Sequence, residues 1–136
     1  MLTEMTIPVP QKNAAARKTK RVLYVDDMRE LREVARLALT RVGHKVELAP
    51  DGVDAFEMVT RNPTAYDMVI TDHHMTGMNG LELVMKLREV NFPGIIAVVS
   101  SELNPDVEHE YRALGVEKIL NKPVELAQLR ALVLES

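Results

Sequence analysis

The chain contains no cysteine and no tryptophan, and only two phenylalanines and three tyrosines among 136 residues. Without cysteine there is no disulfide framework, no thiolate metal site and no cysteine nucleophile. No apolar run comes near the ~20 residues that span a bilayer. Residues 1–20 offer only Ala14-Ala15-Ala16 where a signal peptide would carry its apolar core. Neither membrane insertion nor secretion is expected, and the expected location is the cytoplasm. What is present, 46% hydrophobic and 27% charged residues, is the make-up of one globular domain.

The net charge of −3 is unevenly spread. Residues 1–21 set Lys12, Arg17, Lys18, Lys20 and Arg21 against Glu4 alone, so the tail is basic and the body acidic. The tail has no periodicity and no aromatic residues between its charges, so it reads as a solvated leader rather than a nucleic-acid arm. The expected organisation is a disordered polar and basic leader over 1–19, then a single domain over 20–136.

That domain alternates between two periods. Arg21-Val22-Leu23-Tyr24-Val25 is rich in strand formers and stops at Asp26-Asp27. Leu31, Val34, Ala35, Ala38, Leu39 and Val42 then recur at helical spacing. Asp27 with Glu30 is the expected capping box of that helix, and Gly43 suits its end. Further strands are expected over 45–48, 66–71, 95–99 and 116–120. Between and after them run helices marked by Val53, Ala55, Phe56 and Val59, by Leu81, Val84 and Leu87 with Asn79 and Glu82 as the expected cap, by the Asn104-Pro105 start, and by Leu126, Leu129, Leu132 and Val133. Five strands alternating with five helices predict an α/β fold with a parallel sheet covered on both faces.

In such a sheet the carboxyl ends of the strands share one edge, where ligands bind. The residues expected there are Asp26-Asp27, Asp72, Ser100-Ser101 and Lys122-Pro123. Three carboxylates in one crevice repel unless a cation lies between them. An all-oxygen site with few protein ligands suits Mg²⁺. Lys122 adds a point charge for a phosphoryl oxygen and Ser100 a hydroxyl donor. Together they describe phosphoryl transfer to an aspartate.

The motifs Val25-Asp26-Asp27, Asp72-His73-His74-Met75-Thr76-Gly77-Met78-Asn79-Gly80, Ser100 and Lys122-Pro123, in this order, resemble those of the receiver domain of two-component response regulators. The resemblance covers about residues 20–135. It implies a flavodoxin-like, doubly wound sheet of order 2-1-3-4-5. It further implies Asp72 as phosphoacceptor, with Asp26, Asp27, Asp72 and the backbone carbonyl of His74 around Mg²⁺. Ser100 would be the switch hydroxyl, Lys122 the phosphate-binding lysine, and the Lys122–Pro123 bond cis. His74 and Glu102 match positions that modulate phosphate lifetime. Asp72 and His74 share a side of an extended segment, so the His74 ring is expected at the mouth of the site and the His73 ring away from it.

The implied role is a signalling phosphoacceptor rather than an enzyme with a separate substrate. Its phosphodonor would be a histidine kinase or histidine phosphotransfer protein, and its downstream target a protein. No nucleic acid is expected as a partner, and the face of the fourth helix, fifth strand and fifth helix is a candidate homodimer surface. The expectation is a stand-alone receiver, the alternative being the receiver segment of a hybrid histidine kinase. Two departures stand out. Thr76 replaces a usual proline, and Ile119 stands on strand five where many members carry the aromatic that couples the switch hydroxyl to an output surface. An aspartyl-phosphate hydrolase of the haloacid dehalogenase type would need a second Asp where His74 stands. A flavodoxin-like nucleotide binder would need a glycine-rich phosphate loop where Asp26-Asp27-Met28 stands.

Overall fold

Two apolar surfaces, one on each side of a sheet, account for the fold. The computed structural model describes residues 19–136, so all of the expected leader except residue 19 lies outside the described residues. The elements are β1 (Arg21–Val25), α1 (Arg29–Thr40), β2 (Lys45–Ala49), α2 (Gly52–Arg61), β3 (Met68–Thr71), α3 (Gly80–Glu89), β4 (Ile95–Ser100), α4 (Pro105–Ala113), β5 (Lys118–Asn121) and α5 (Leu126–Leu134). The strands form one parallel sheet in the order β2-β1-β3-β4-β5.

Alternate residues of each central strand face opposite layers. Leu23, Val25, Val69, Ile96 and Val98 pack under α2, α3 and α4 with Ala55, Val59, Leu83, Val84, Leu87 and Tyr111. Val22, Tyr24, Met68, Ile70, Ala97 and Val99 pack under α1 and α5 with Ala35, Leu39, Leu129, Leu132 and Val133. Because both faces of β1, β3 and β4 are covered, their sequences read as unbroken apolar runs rather than alternations.

Three local expectations are corrected. The Asp27–Glu30 capping box does not form: Met28 is the N-cap of α1, with no side-chain cap bond. Asp26 does part of that work instead, its Oδ1 accepting the Met28 N–H at 2.9 Å. The Asp27 carboxylate stands with those of Asp26 and Asp72. β5 starts at Lys118 rather than 116. Val116 is spent on the turn after α4, where its N–H donates to the Tyr111 carbonyl and Gly115 has φ +84°. β3 starts at Met68 rather than 66. Ahead of it, Asp67 turns its carboxylate onto the Arg21 N–H and guanidinium.

Other sequence signals are realised. Asn79 and Glu82 form a reciprocal capping box at the start of α3. Asn104 caps α4, with Pro105 in its first turn.

Candidate functional site

Main-chain bonds between adjacent strand ends build the site. The Asp72 N–H donates to the Val25 carbonyl at 2.9 Å, the Asp26 N–H to the Ala49 carbonyl at 3.2 Å, and the Lys122 N–H to the Ser100 carbonyl at 3.0 Å. The ladder thus places residues 26, 72, 100 and 122 along one edge, although 96 residues separate Asp26 from Lys122.

The side chains at that edge converge. Asp26, Asp27 and Asp72 each offer a carboxylate oxygen, and the three oxygens lie within 4.8 Å of one another. Asp26 and Asp72 are buried and Asp27 is exposed. Lys122 Nζ lies 2.7 Å from Asp26 Oδ2 and 3.2 Å from Asp72 Oδ2. One ammonium therefore serves two of the three carboxylates, and two formal negative charges are left over. Burial alone would lower the Lys122 pKa, but Asp26 and then Asp72 outweigh it and hold it above its ordinary value. The same carboxylates act on Tyr24 beneath them: burial first, then Asp26 and Asp72, push its phenol well above its usual range. A surplus of oxygen-only, negatively charged donors fits a hard divalent cation.

The two oxygens of Asp72 have different partners. Oδ1 accepts the N–H of His73 at 2.7 Å, while Oδ2 faces Lys122. Ser100 is fully buried, and its Oγ accepts the Glu102 N–H at 3.4 Å. At the rim, exposed His74 and Glu102 meet, Nε2 to Oε1, at 2.6 Å. The Lys122–Pro123 bond is cis. Ile119 is half-buried against the α4-side core, paired in register with Val98.

The His73 ring leaves the mouth, as its place on the extended segment suggests. It is buried, with Nδ1 2.6 Å from the hydroxyl of Tyr111 on α4. Burial and then His74 lower its pKa, against the opposing pull of Asp72. Sequence reasoning did not single out Tyr111. Its signal was slight: a tyrosine at an inward position of a helix otherwise poor in large apolar residues.

Comparison with known proteins agrees with this fold. Residues 22–134 match the model of the response regulator receiver domain. The chain is 34% identical over 121 residues to the sensor histidine kinase AruS of Pseudomonas aeruginosa, a match covering 86% of this chain and 12% of that protein. It is 36% identical over 111 residues to the response regulator MprA of Mycobacterium leprae, covering 82% of this chain and 48% of that one. The chain thus spans less than half the length of either curated relative. Among solved structures it is similar to a response regulator receiver protein from Pseudomonas putida, with a TM-score of 0.80 and 30% identity over 89% of this chain and 98% of that one. It is also similar to the chemotaxis protein CheY4 of Vibrio cholerae, with a TM-score of 0.75 and 29% identity over 82% and 92% of the two chains.

Proposed function

We propose, from the premise that this chain belongs to the response regulator receiver domain family, that it receives a phosphoryl group on Asp72. The observation that carries this reading is the asymmetry of that carboxylate. It is buried, its Oδ1 is tied to the neighbouring peptide, and its Oδ2 is turned to Lys122 at the open end of the sheet.

The donor class is a phosphohistidine on a histidine kinase or phosphotransfer protein. Asp72 Oδ2 attacks the phosphorus, an O–P bond forms, and the P–N bond to the donor imidazole breaks. The electron pair stays on that nitrogen, which then takes a proton from water. Lys122 moves little to reach an oxygen of the incoming group, since it already lies against Oδ2. Ser100 keeps its hydroxyl hydrogen for a second phosphoryl oxygen. Asp26, Asp27 and Asp72, with the His74 carbonyl, are the residues that would hold Mg²⁺. When bound, that ion neutralises charge on the transferring phosphoryl group. Every other contribution is positioning by groups already in place. Met28, exposed at the start of α1 and next in sequence to Asp27, supports a donor-docking surface on that side of the site.

Incubation with acetyl phosphate and Mg²⁺ should add one hydroxylamine-labile phosphoryl group. Asp72→Asn should add none, and equal labelling of the two would reject the assignment. The His74–Glu102 contact across the mouth supports a role for both in controlling water access to the acyl phosphate. His74→Ala should change the decay rate of the labelled protein several-fold, and an unchanged half-life would make His74 a bystander.

A further inference from the structure

The acceptor carboxylate is flanked by a buried polar pair that the transfer reaction does not itself require. Tyr111 is fully buried at 0% exposure, so its hydroxyl must find a partner inside the protein. That partner is His73, Nδ1 to hydroxyl 2.6 Å, with the two rings edge to face at 5.5 Å between centroids. His73 is in turn the residue whose N–H holds Asp72 Oδ1 at 2.7 Å. Its carbonyl accepts the N–H of Gly80 at 2.8 Å, and the Asp72 carbonyl accepts the Thr71 hydroxyl at 2.8 Å. The main chain around the Asp72–His73 peptide is therefore pinned by Thr71 and Gly80, and the ring of His73 is pinned by Tyr111. The space is fully used: a Cβ at Gly80 would come within 2.6 Å of the Tyr111 hydroxyl and 2.9 Å of the His73 Cα.

We propose that Tyr111 is a positioning residue for phosphoryl transfer, acting through His73 to keep Asp72 Oδ1 occupied and Oδ2 aimed at the donor. The proposal rests on Asp72 being the acceptor. Without the hydroxyl, the His73 ring loses its hold, and the peptide whose N–H faces Asp72 Oδ1 keeps only its bonds to Thr71 and Gly80. The carboxylate is then held less tightly about its last bond, with Lys122 still on Oδ2, and fewer encounters have Oδ2 in line with the breaking bond. Tyr111 also gives α4 a polar hold on the acceptor loop from the helix side, on a sheet whose fifth strand carries Ile119 rather than an aromatic residue.

Tyr111→Phe keeps the ring that fills the core and removes only the hydroxyl. With Mg²⁺ and saturating acetyl phosphate, it should label about fivefold more slowly than the wild type, the order of one lost hydrogen bond. The acetyl phosphate concentration at half-maximal rate should be unchanged. His73→Leu should show a similar loss, and the double variant no further loss, since both remove one bond. His73→Asn, which can still offer a polar atom to the hydroxyl, should stay near the wild-type rate. A Tyr111→Phe protein that labels at the wild-type rate, or two losses that multiply, would overturn the proposal. A wild-type chain that takes no label, or an Asp72→Asn chain that labels equally, would instead remove the acceptor reading beneath it.

Discussion

Lys122 carries more of the resting structure than its place near the surface suggests. Its ammonium is shared by Asp26, which is 1% exposed, and Asp72, which is 8% exposed. Removing the positive charge leaves two buried carboxylates facing one another. The penalty for breaking such an arrangement is large, because the desolvation of the remaining charges is no longer offset. Lys122→Gln should lower stability by about 3–5 kcal/mol in denaturant melts without divalent cation. A cation in the acidic cluster would neutralise the same carboxylates, so Mg²⁺ should stabilise the variant more than it stabilises the wild type. A loss under about 1 kcal/mol, the range of an exposed pair, or equal Mg²⁺ stabilisation of both proteins, would mean that Lys122 does not neutralise this pair. Asp27, the exposed member, belongs to the cluster through a carboxylate oxygen within 4.8 Å of those of Asp26 and Asp72.

Elements are joined by contacts of this kind away from the site as well. His44, buried between α1 and β2, accepts the Lys20 N–H on Nδ1 at 3.0 Å and donates its own N–H to the Leu39 carbonyl at 3.1 Å. It thereby fastens the entry to β1 onto the end of α1. Burial first, and then Lys20, lower its pKa below the ordinary value. The sign follows directly. Below about pH 6.5 the unfolded chain takes up a proton that the folded protein resists. The stability that His44 supplies is thus whole above that pH and is lost as pH falls toward the folded-state value. His44→Asn retains an acceptor for Lys20 without a titrating group. Its unfolding free energy between about pH 7 and 5 should fall less steeply than that of the wild type, and parallel slopes would contradict the assignment.

The elements also show why some features were legible in the sequence and others were not. The capping box of α3 is local, set by Asn79 and Glu82 three residues apart, and it was readable. The expected box at Asp27 looked the same locally. It does not form because Met28 is the N-cap, and the Asp27 carboxylate stands with those of its neighbour Asp26 and of Asp72 on a different strand end. The start of β5 was misread for a similar reason. Val116 is a good strand former, but its N–H is claimed by the turn that ends α4. The pairing of His73 with Tyr111 depends on how α4 lies over the sheet, which no spacing in the sequence encodes.

At the scale of the whole molecule, the strand order does the assembling. Residues 26, 27, 72, 100 and 122 are unremarkable one by one: an aspartate at a strand end, a helix-capping candidate, a turn aspartate, a loop serine and a surface lysine. The β2-β1-β3-β4-β5 order sets β1 beside β3 and brings β4 and β5 in after it, so all five positions fall on one edge. That convergence could be inferred because four of the five strands, all but β2, run into polar residues of the right kind. The inward-facing network behind the edge could not. The described part of the chain has no helix long and apolar enough to cross a membrane, and its one tight group of three acidic side chains is the cluster around Asp72.

The central claim is that Asp72, and no other group, takes the phosphoryl. An acyl phosphate is reduced by borohydride to an alcohol, which turns a phosphorylated aspartate into homoserine. The full chain, labelled with acetyl phosphate and Mg²⁺, reduced, digested and sequenced by mass spectrometry, should carry homoserine at position 72 and at no other aspartate. Homoserine at Asp26 or Asp27, or a labelled protein with an unreduced aspartate at position 72, would contradict the account.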